Sequence, residues 1–285
     1  MGAPGTTNKG IQKERIAIYV LLSLLALCML LPFLWLVRSS LCSNREILMP
    51  VTNLQELIPS QLHPENYLNV FKSVPFWRYF SNTVTIVTFV VLGSILSSSL
   101  CAYAFVFCPV PYRRTVFYGV LATMMLPGAV MIIPVFILFR TLDWIDTLKP
   151  LIIPAFFGQP FFIFLFRQFF LTLPHELIEA ARIDGASNLE IYSRIIMPLS
   201  RSAIVTVALF AFMATWNDFM APLIYLNSQK NWTLQLGLQS FQGQVSNDWS
   251  LLMAATVITI LPVIIVFLFL QRYFIRGLAS TGLKG

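Results

Sequence analysis

Charge is scarce in this chain. Only 11% of its 285 residues are charged, 57% are hydrophobic, and the mean hydropathy is +0.76. A water-soluble globule must cover its surface with polar side chains, and this composition cannot supply them. Histidine is confined to His63 and His175, far apart in sequence. There is no glycine-rich phosphate loop, and no apolar segment carries a pair of carboxylates, so neither an ATP-hydrolysing nor another catalytic centre is expected. The four cysteines, Cys28, Cys42, Cys101 and Cys108, lack metal-ligand spacing and make no disulfide framework. They read as small packing residues, and no metal or cofactor bound by this chain is expected.

What is abundant is long apolar sequence. Six segments, Ile16–Val37, Thr83–Phe107, Val116–Phe139, Leu151–Leu171, Ala203–Leu226 and Leu251–Leu270, each reach the roughly 20 residues that a helix needs to cross a hydrocarbon layer of about 30 Å. An all-α integral membrane protein with six transmembrane helices is predicted. The first run is longer than a signal-peptide core and no small-residue cleavage site follows it, so it is expected to be retained. Six crossings put both termini on one side. Placing that side in the cytoplasm divides the 19 Lys and Arg 12 inside to 7 outside, the bias membrane insertion favours. The net charge of +7 is then spread over inner loops facing lipid headgroups, and no nucleic-acid partner is needed to explain it.

Residues 1–15 form a short inner segment, 16–275 one membrane domain, and 276–285 a flexible tail. The outer segment Arg38 to Asn82 is interrupted by Pro50, Pro59, Pro64 and Pro75, so short surface helices are expected there. Trp77, Tyr79 and Phe80 resemble an interfacial aromatic belt. Gly93, Ser94, Ser97, Ser98, Ser99, Cys101, Ala102 and Ala104 place the second span inside a bundle, because small side chains let helix backbones approach. Pro127, Gly128, Pro134, Pro154, Gly158, Gln159 and Pro160 break the third and fourth spans, as a wet cavity or static kinks would require. The loop from Asn227 to Ser250 is rich in amides with Trp232 and Trp249, suited to hydrogen bonding with a sugar or a protein, or to a plain solvated surface.

One polar insert stands out, EAARIDGASNLEIYSRIIMP from Glu179 to Pro198, within a loop spanning 174–200. Pro174 suits the start of a helix and Gly185 can take the left-handed conformation that closes one. Ser187 and Glu190 have the spacing of a capping box, so a second helix starts at once and ends at Pro198. Leu177, Ile178 and Ala181 share one face of the first helix; Leu189, Tyr192, Ile195 and Ile196 share one face of the second. A hairpin lying on lipid would carry a basic polar face. Here Glu176, Glu179, Asp184 and Glu190 balance Arg182, Arg194 and Arg201, which favours a protein partner.

The spaced set Glu179-Ala180-Ala181, Gly185, Ile195 and Met197-Pro198 resembles the EAA loop of ATP-binding-cassette importer permeases, with Met197 where that pattern has Leu. Asp184-Gly185-Ala186, Trp216-Asn217-Asp218-Phe219 with Pro222-Leu223, and Gln271-Arg272-Tyr273-Phe274 with Arg276-Gly277 and Lys284-Gly285 are similar to the maltose and glycerol-phosphate type of sugar permease. The resemblance runs from about Ile16 to the C-terminus. It implies a type I importer permease fold with cytoplasmic coupling helices, in a carbohydrate importer of the inner membrane. It implies as partners a paralogous permease, two ATPase subunits that hold ATP and Mg, and an external sugar-binding protein.

By that resemblance Glu179, Ala180, Ala181, Asp184, Gly185, Ala186, Ile195 and Pro198 form the ATPase-docking set, with Glu179 as the docking carboxylate. Trp232, Gln235 and Gln239 are candidate contacts to the binding protein. Trp216, Asn217 and Asp218 are candidates for the substrate path, since an amide and an indole suit a hydroxylated ligand; alternatively they stabilise a helix break or meet the partner subunit. A permease of the same fold for a non-sugar solute, or an ion-coupled carrier using Asp218, stays open at this point.

Overall fold

Sustained apolar sequence gives the longest helices, Asn8–Ser40 and Trp249–Thr281, even though Pro32 and Pro262 lie inside them. The computed structural model describes residues 8–50, 53, 58–109, 111–242 and 248–281, with side chains from 14 to 271 among these. Its helices are α1 (Asn8–Ser40), α2 (Asn44–Leu48), α3 (Glu65–Ser73), α4 (Phe76–Phe107), α5 (Arg113–Ala122), α6 (Gly128–Thr141), α7 (Lys149–Ile152), α8 (Pro160–Phe170), α9 (His175–Ile183), α10 (Asn188–Glu190), α11 (Met197–Leu199), α12 (Arg201–Trp216), α13 (Met220–Tyr225), α14 (Leu234–Leu238) and α15 (Trp249–Thr281). Among the described residues four helical stretches, Glu14–Ser40, Phe76–Phe107, Lys149–Phe170 and Trp249–Gln271, are long and apolar enough to cross a membrane; six are reached only if each of two bent pairs counts as one span. This is an all-α, multi-pass membrane fold.

Three expected spans are not single straight helices; the fourth is interrupted between Phe157 and Pro160, where Gly158 takes φ 82°. The third, Val116 to Phe139, is bent by 98° between Met125 and Gly128. Pro127 lacks an N–H and forces Leu126 out of the helical region, to ψ 118°, so the helix stops and α6 begins afresh. In the fifth, α12 ends at Trp216 and α13 starts at Met220. Pro222 can neither bond the Asp218 carbonyl nor tolerate it at helical distance, and the chain breaks one turn before the proline. The helix of Arg201–Trp216 is itself bent by 80° from the Asn188–Leu199 stretch of the polar insert.

The chain divides into two units, residues 1–73 with 241–258 and residues 74–240 with 259–285. In the first, Ser43 and Glu46 close a capping box on α2, and Glu46 also receives the backbone N–H and hydroxyl of Ser60. Asn66 Nδ2 donates to the carbonyls of Ser40 and Cys42, both at 3.0 Å, and the Tyr67 hydroxyl meets Ser40 Oγ. The apolar side chains of α1 from Ile16 through Leu34 are exposed along their whole length.

The second unit is organised around α4, against which α8, α12 and the Ile153–Phe157 turn pack. Its small residues do what their size allows. Ser94, Ser98, Ser99 and Ala102 are fully buried, and a Cβ on Gly93 would come within 2.8 Å of the Phe156 ring. The serines also repair the broken fourth segment: Ser97 Oγ donates to the Ala155 carbonyl at 2.9 Å, and Gln159 N–H donates to Ser98 Oγ at 3.2 Å. The Ala155 carbonyl and the Gln159 N–H, left without helical partners by the break at Gly158, are thus satisfied by side chains, the condition for irregular backbone at membrane depth. Tyr79 is buried beside Gly237, whereas Trp77 is 70% exposed and stacks on Phe80. The expected aromatic belt therefore loses its central member to the interior.

The tail expected from 276 is helical through Thr281 as part of α15. The side chains of Arg272, Tyr273, Phe274 and Arg276, and residues Lys284 and Gly285, lie outside the described residues. So do Gln244 and Asn247 of the amide-rich loop.

Candidate functional site

The polar insert folds as a two-helix corner whose ends are specified locally. Helix α9 closes in a Schellman motif: Ala186 N–H donates to the Ala181 carbonyl at 2.9 Å, Gly185 N–H to the Arg182 carbonyl at 3.1 Å, and Gly185 sits at φ 82°. Ser187 then receives Glu190 N–H while the Glu190 carboxylate receives Ser187 N–H at 3.0 Å, so both halves of the capping box are made. The second helix is not regular. Ile191–Ile196 is a π-helix in which Met197 N–H reaches the Tyr192 carbonyl. Pro198 lies inside the helix rather than ending it, which stops at Leu199. Its ring would crowd the Arg194 carbonyl in a regular turn, and the preceding turn widens instead.

One face of this corner is anchored. Ile178, Ala181, Ile191, Tyr192 and Ile196 are buried with Tyr103, Phe107, Phe166 and Phe170 in a single apolar cluster. The Tyr192 hydroxyl meets Ser99 Oγ of α4 at 2.8 Å, and Arg182 Nη2 donates to the Phe107 carbonyl at the end of α4 at 2.7 Å. Tyr103 and Tyr192 pack edge to face at 5.5 Å. The other face is open. Glu179, Ala180, Asp184 and Gly185 are exposed, together with Ile183 at 86% and Leu189 at 69%. Ala181 and Ile196 serve the anchor, while Ala186 and Ile195 are half-buried and Pro198 exposed.

A second feature sits where the fourth and fifth expected spans break. A cavity of about 210 Å³ is bordered by Thr83, Ile86 and Val90 of α4, Pro154 and Gln159 of the broken segment, Thr215, Asp218 and Thr233. Asp218 Oδ1 accepts the Ala221 N–H at 3.2 Å and so caps the restart of the helix while facing the cavity. Trp216 does not border it. Its indole is buried, donates to the Thr259 carbonyl at 3.2 Å and stacks on Phe212 at 5.4 Å. Asn217 is exposed and its amide donates back to Met213. Of the three residues, Asp218 alone meets the cavity. Gln159, Thr83, Thr215 and Thr233 join it, and only Gln159 carried a signal in sequence, as the polar residue of a proline-flanked break.

The amide-rich loop is held down firmly. Asp146, at φ 59°, accepts Asn227 N–H at 3.0 Å, Ser228 N–H at 2.7 Å and the Ser228 hydroxyl, and its own carbonyl accepts Asn231 Nδ2 at 2.5 Å. Burial pushes the Asp146 carboxyl up, but these hydrogen bonds outweigh it and hold it down at about 2. Arg78 Nε and Asn82 Nδ2 both donate to the Lys230 carbonyl. Trp232 lies 6.1 Å from the Tyr79 ring and is half-buried, as is Gln235; Gln239 is exposed.

A family model described as "Binding-protein-dependent transport system inner membrane component" matches residues 94–280, which include the insert, the clamped loop and the cavity wall apart from Thr83, Ile86 and Val90. The chain belongs to this family. Among its relatives, the chain is 35% identical over 272 residues to the arabinooligosaccharides transport system permease protein AraQ of Bacillus subtilis, covering 95% of this chain and 96% of the relative. It is 34% identical over 233 residues to the sn-glycerol-3-phosphate transport system permease protein UgpE of Shigella flexneri, covering 79% and 83%. A solved bacterial ABC transporter involved in the import of the acidic polysaccharide alginate matches with a TM-score of 0.83 at 26% identity, over 95% of this chain and 100% of that one. Among the described residues no group of His, Cys, Asp or Glu could hold a metal ion.

Proposed function

We propose that this chain is a permease subunit of an ATP-driven, binding-protein-dependent carbohydrate importer. It would cross the inner membrane six times with both termini cytoplasmic, lining half of the path beside a paralogous permease. The observation that carries the reading is the two-faced insert: one side is buried against α4 and α8, and the other offers Glu179, Ala180, Ile183 and Leu189 to a partner. Exposed apolar side chains ringed by charge are the surface a protein partner covers. The relatives' cargoes, an arabinooligosaccharide, sn-glycerol 3-phosphate and alginate, support a sugar or sugar derivative here, and the likeness to an ABC transporter supports an ATPase as the partner.

In this reading ATP draws two ATPase subunits together and the insert follows its ATPase as a lever. The bundle opens outward, an external binding protein delivers the sugar near the clamped loop with Trp232, Gln235 and Gln239, and hydrolysis returns the path to the inside. Nucleotide and sugar each act by binding the two conformations unequally, and the permease links their preferences. Glu179→Lys tests it. The variant is expected to insert normally but to lose its ATPase on co-purification. Unchanged assembly and unchanged uptake would remove the docking role.

A further inference from the structure

The relatives agree on transport but not on the charge of the cargo: arabinooligosaccharides are neutral, whereas sn-glycerol 3-phosphate and alginate are anions. The cavity at the helix breaks bears on that difference. Asp218 borders it, and among the described residues no Lys, Arg or His does. Asp218 makes no ion pair with any described residue; its carboxylate accepts only backbone N–H groups at the start of α13, those of Ala221 and Met220. The Gln159 side-chain amide, also on the cavity wall, has no hydrogen bond to a described residue and is free for a ligand. Such a pair can accept from and donate to sugar hydroxyls, while low-dielectric walls of Ile86, Val90 and Pro154 sharpen the field of a single negative charge.

We propose that Asp218 makes this cavity a charge filter, taking an uncharged saccharide unit and disfavouring phosphorylated or uronic solutes. The proposal rests on the carbohydrate reading above for its ligand, but not for its electrostatics. The cavity, of about 210 Å³, has room for several waters and so for one small saccharide unit at a time.

The test uses the complete importer in nanodiscs, with Cys28, Cys42, Cys101 and Cys108 replaced by serine and Thr215→Cys as reporter. Its thiol is reacted with two methanethiosulfonates of similar size and opposite charge, a trimethylammonioethyl and a sulfonatoethyl reagent. The cationic reagent is expected to react faster, and the ratio of the two rates to fall by on the order of tenfold in the Asp218→Asn variant. Asparagine keeps an oxygen for the Ala221 N–H, so the start of α13 is preserved. Equal rates, or a ratio indifferent to Asp218→Asn, would overturn the filter. A thiol that reacts with neither reagent, at 215 and equally in Ala214→Cys, would overturn it too, because the cavity would then be closed to solutes. Uptake of arabinotriose by proteoliposomes of the same importer is scored separately: its absence beside an intact charge ratio removes the sugar reading and leaves the filter standing.

Discussion

The hydroxyl pair joining the polar insert to α4 gives a quantitative test of how firmly the two are tied. Ser99 Oγ lies 2.5 Å from the Ile95 carbonyl, to which it donates its single hydrogen, so the hydrogen between Ser99 and Tyr192 comes from the phenol. Both side chains are buried. In Tyr192→Phe the serine keeps Ile95 as partner and the loss is one net hydrogen bond, about 1 kcal/mol. In Ser99→Ala the phenol remains without an acceptor in an apolar cluster, and the cost rises to about 1–3 kcal/mol. The double variant orphans nothing. It should be no worse than Ser99→Ala alone, with a coupling energy of about 1 kcal/mol between the sites. Equilibrium unfolding of the purified chain in mixed detergent micelles measures all four corners of this cycle. Additivity within about 0.3 kcal/mol would show that the hydroxyls do not meet and that the insert is held to α4 by apolar packing alone.

Two further outcomes follow from the loop around residues 227–237. A Cβ at Gly237 would lie 2.7 Å from Cε2 of the fully buried Tyr79 ring; Gly237→Ala should destabilise by about 1–3 kcal/mol through overpacking, read as a lowered thermal midpoint, and an unchanged midpoint would show that the ring yields freely. The folded Asp146 carboxyl sits at about 2, below its ordinary 3.8, so the clamp it makes is fully in force above about pH 4 and is lost as pH falls from there through 2. Hydrogen exchange at the Asn227 and Ser228 amides, corrected for intrinsic rate, should speed up over that window, and protection that persists at pH 2 would refute the clamp.

Much of the insert could be read from its residues because its determinants are local. Ser187 with Glu190 and Gly185 after Ile183 fix helix ends within a few residues, and the structure makes each of those bonds. The breaks at Pro127 and Pro222 were visible as prolines, but proline marks only where a helix cannot continue; the 98° bend depends on how the next helix packs. What stayed hidden was non-local. Asp146 and Ser228 are 82 residues apart, and nothing near either one announces the clamp. Trp216 stayed open between a ligand platform and a packing residue because indoles serve equally well for both; its hydrogen bond to the Thr259 carbonyl, 43 residues away, could not be read from the sequence. The small face of α4 implied a crowded interior, yet which serine repairs which broken carbonyl is settled by register alone.

The widened turn at Ile191–Ile196 has a geometric corollary. A π-turn is an ordinary helix with one residue too many, and the wide turn takes up that surplus locally, so the stretches on either side keep the facing they would have without it. Glu179 and Leu189 hold their bearing because the bulge beside Pro198 absorbs the extra residue. An insertion in a regular stretch of the same corner, with no such slack, would instead turn everything N-terminal to it by about 100° and draw Ile178, Ala181 and Tyr192 out of the cluster that anchors them.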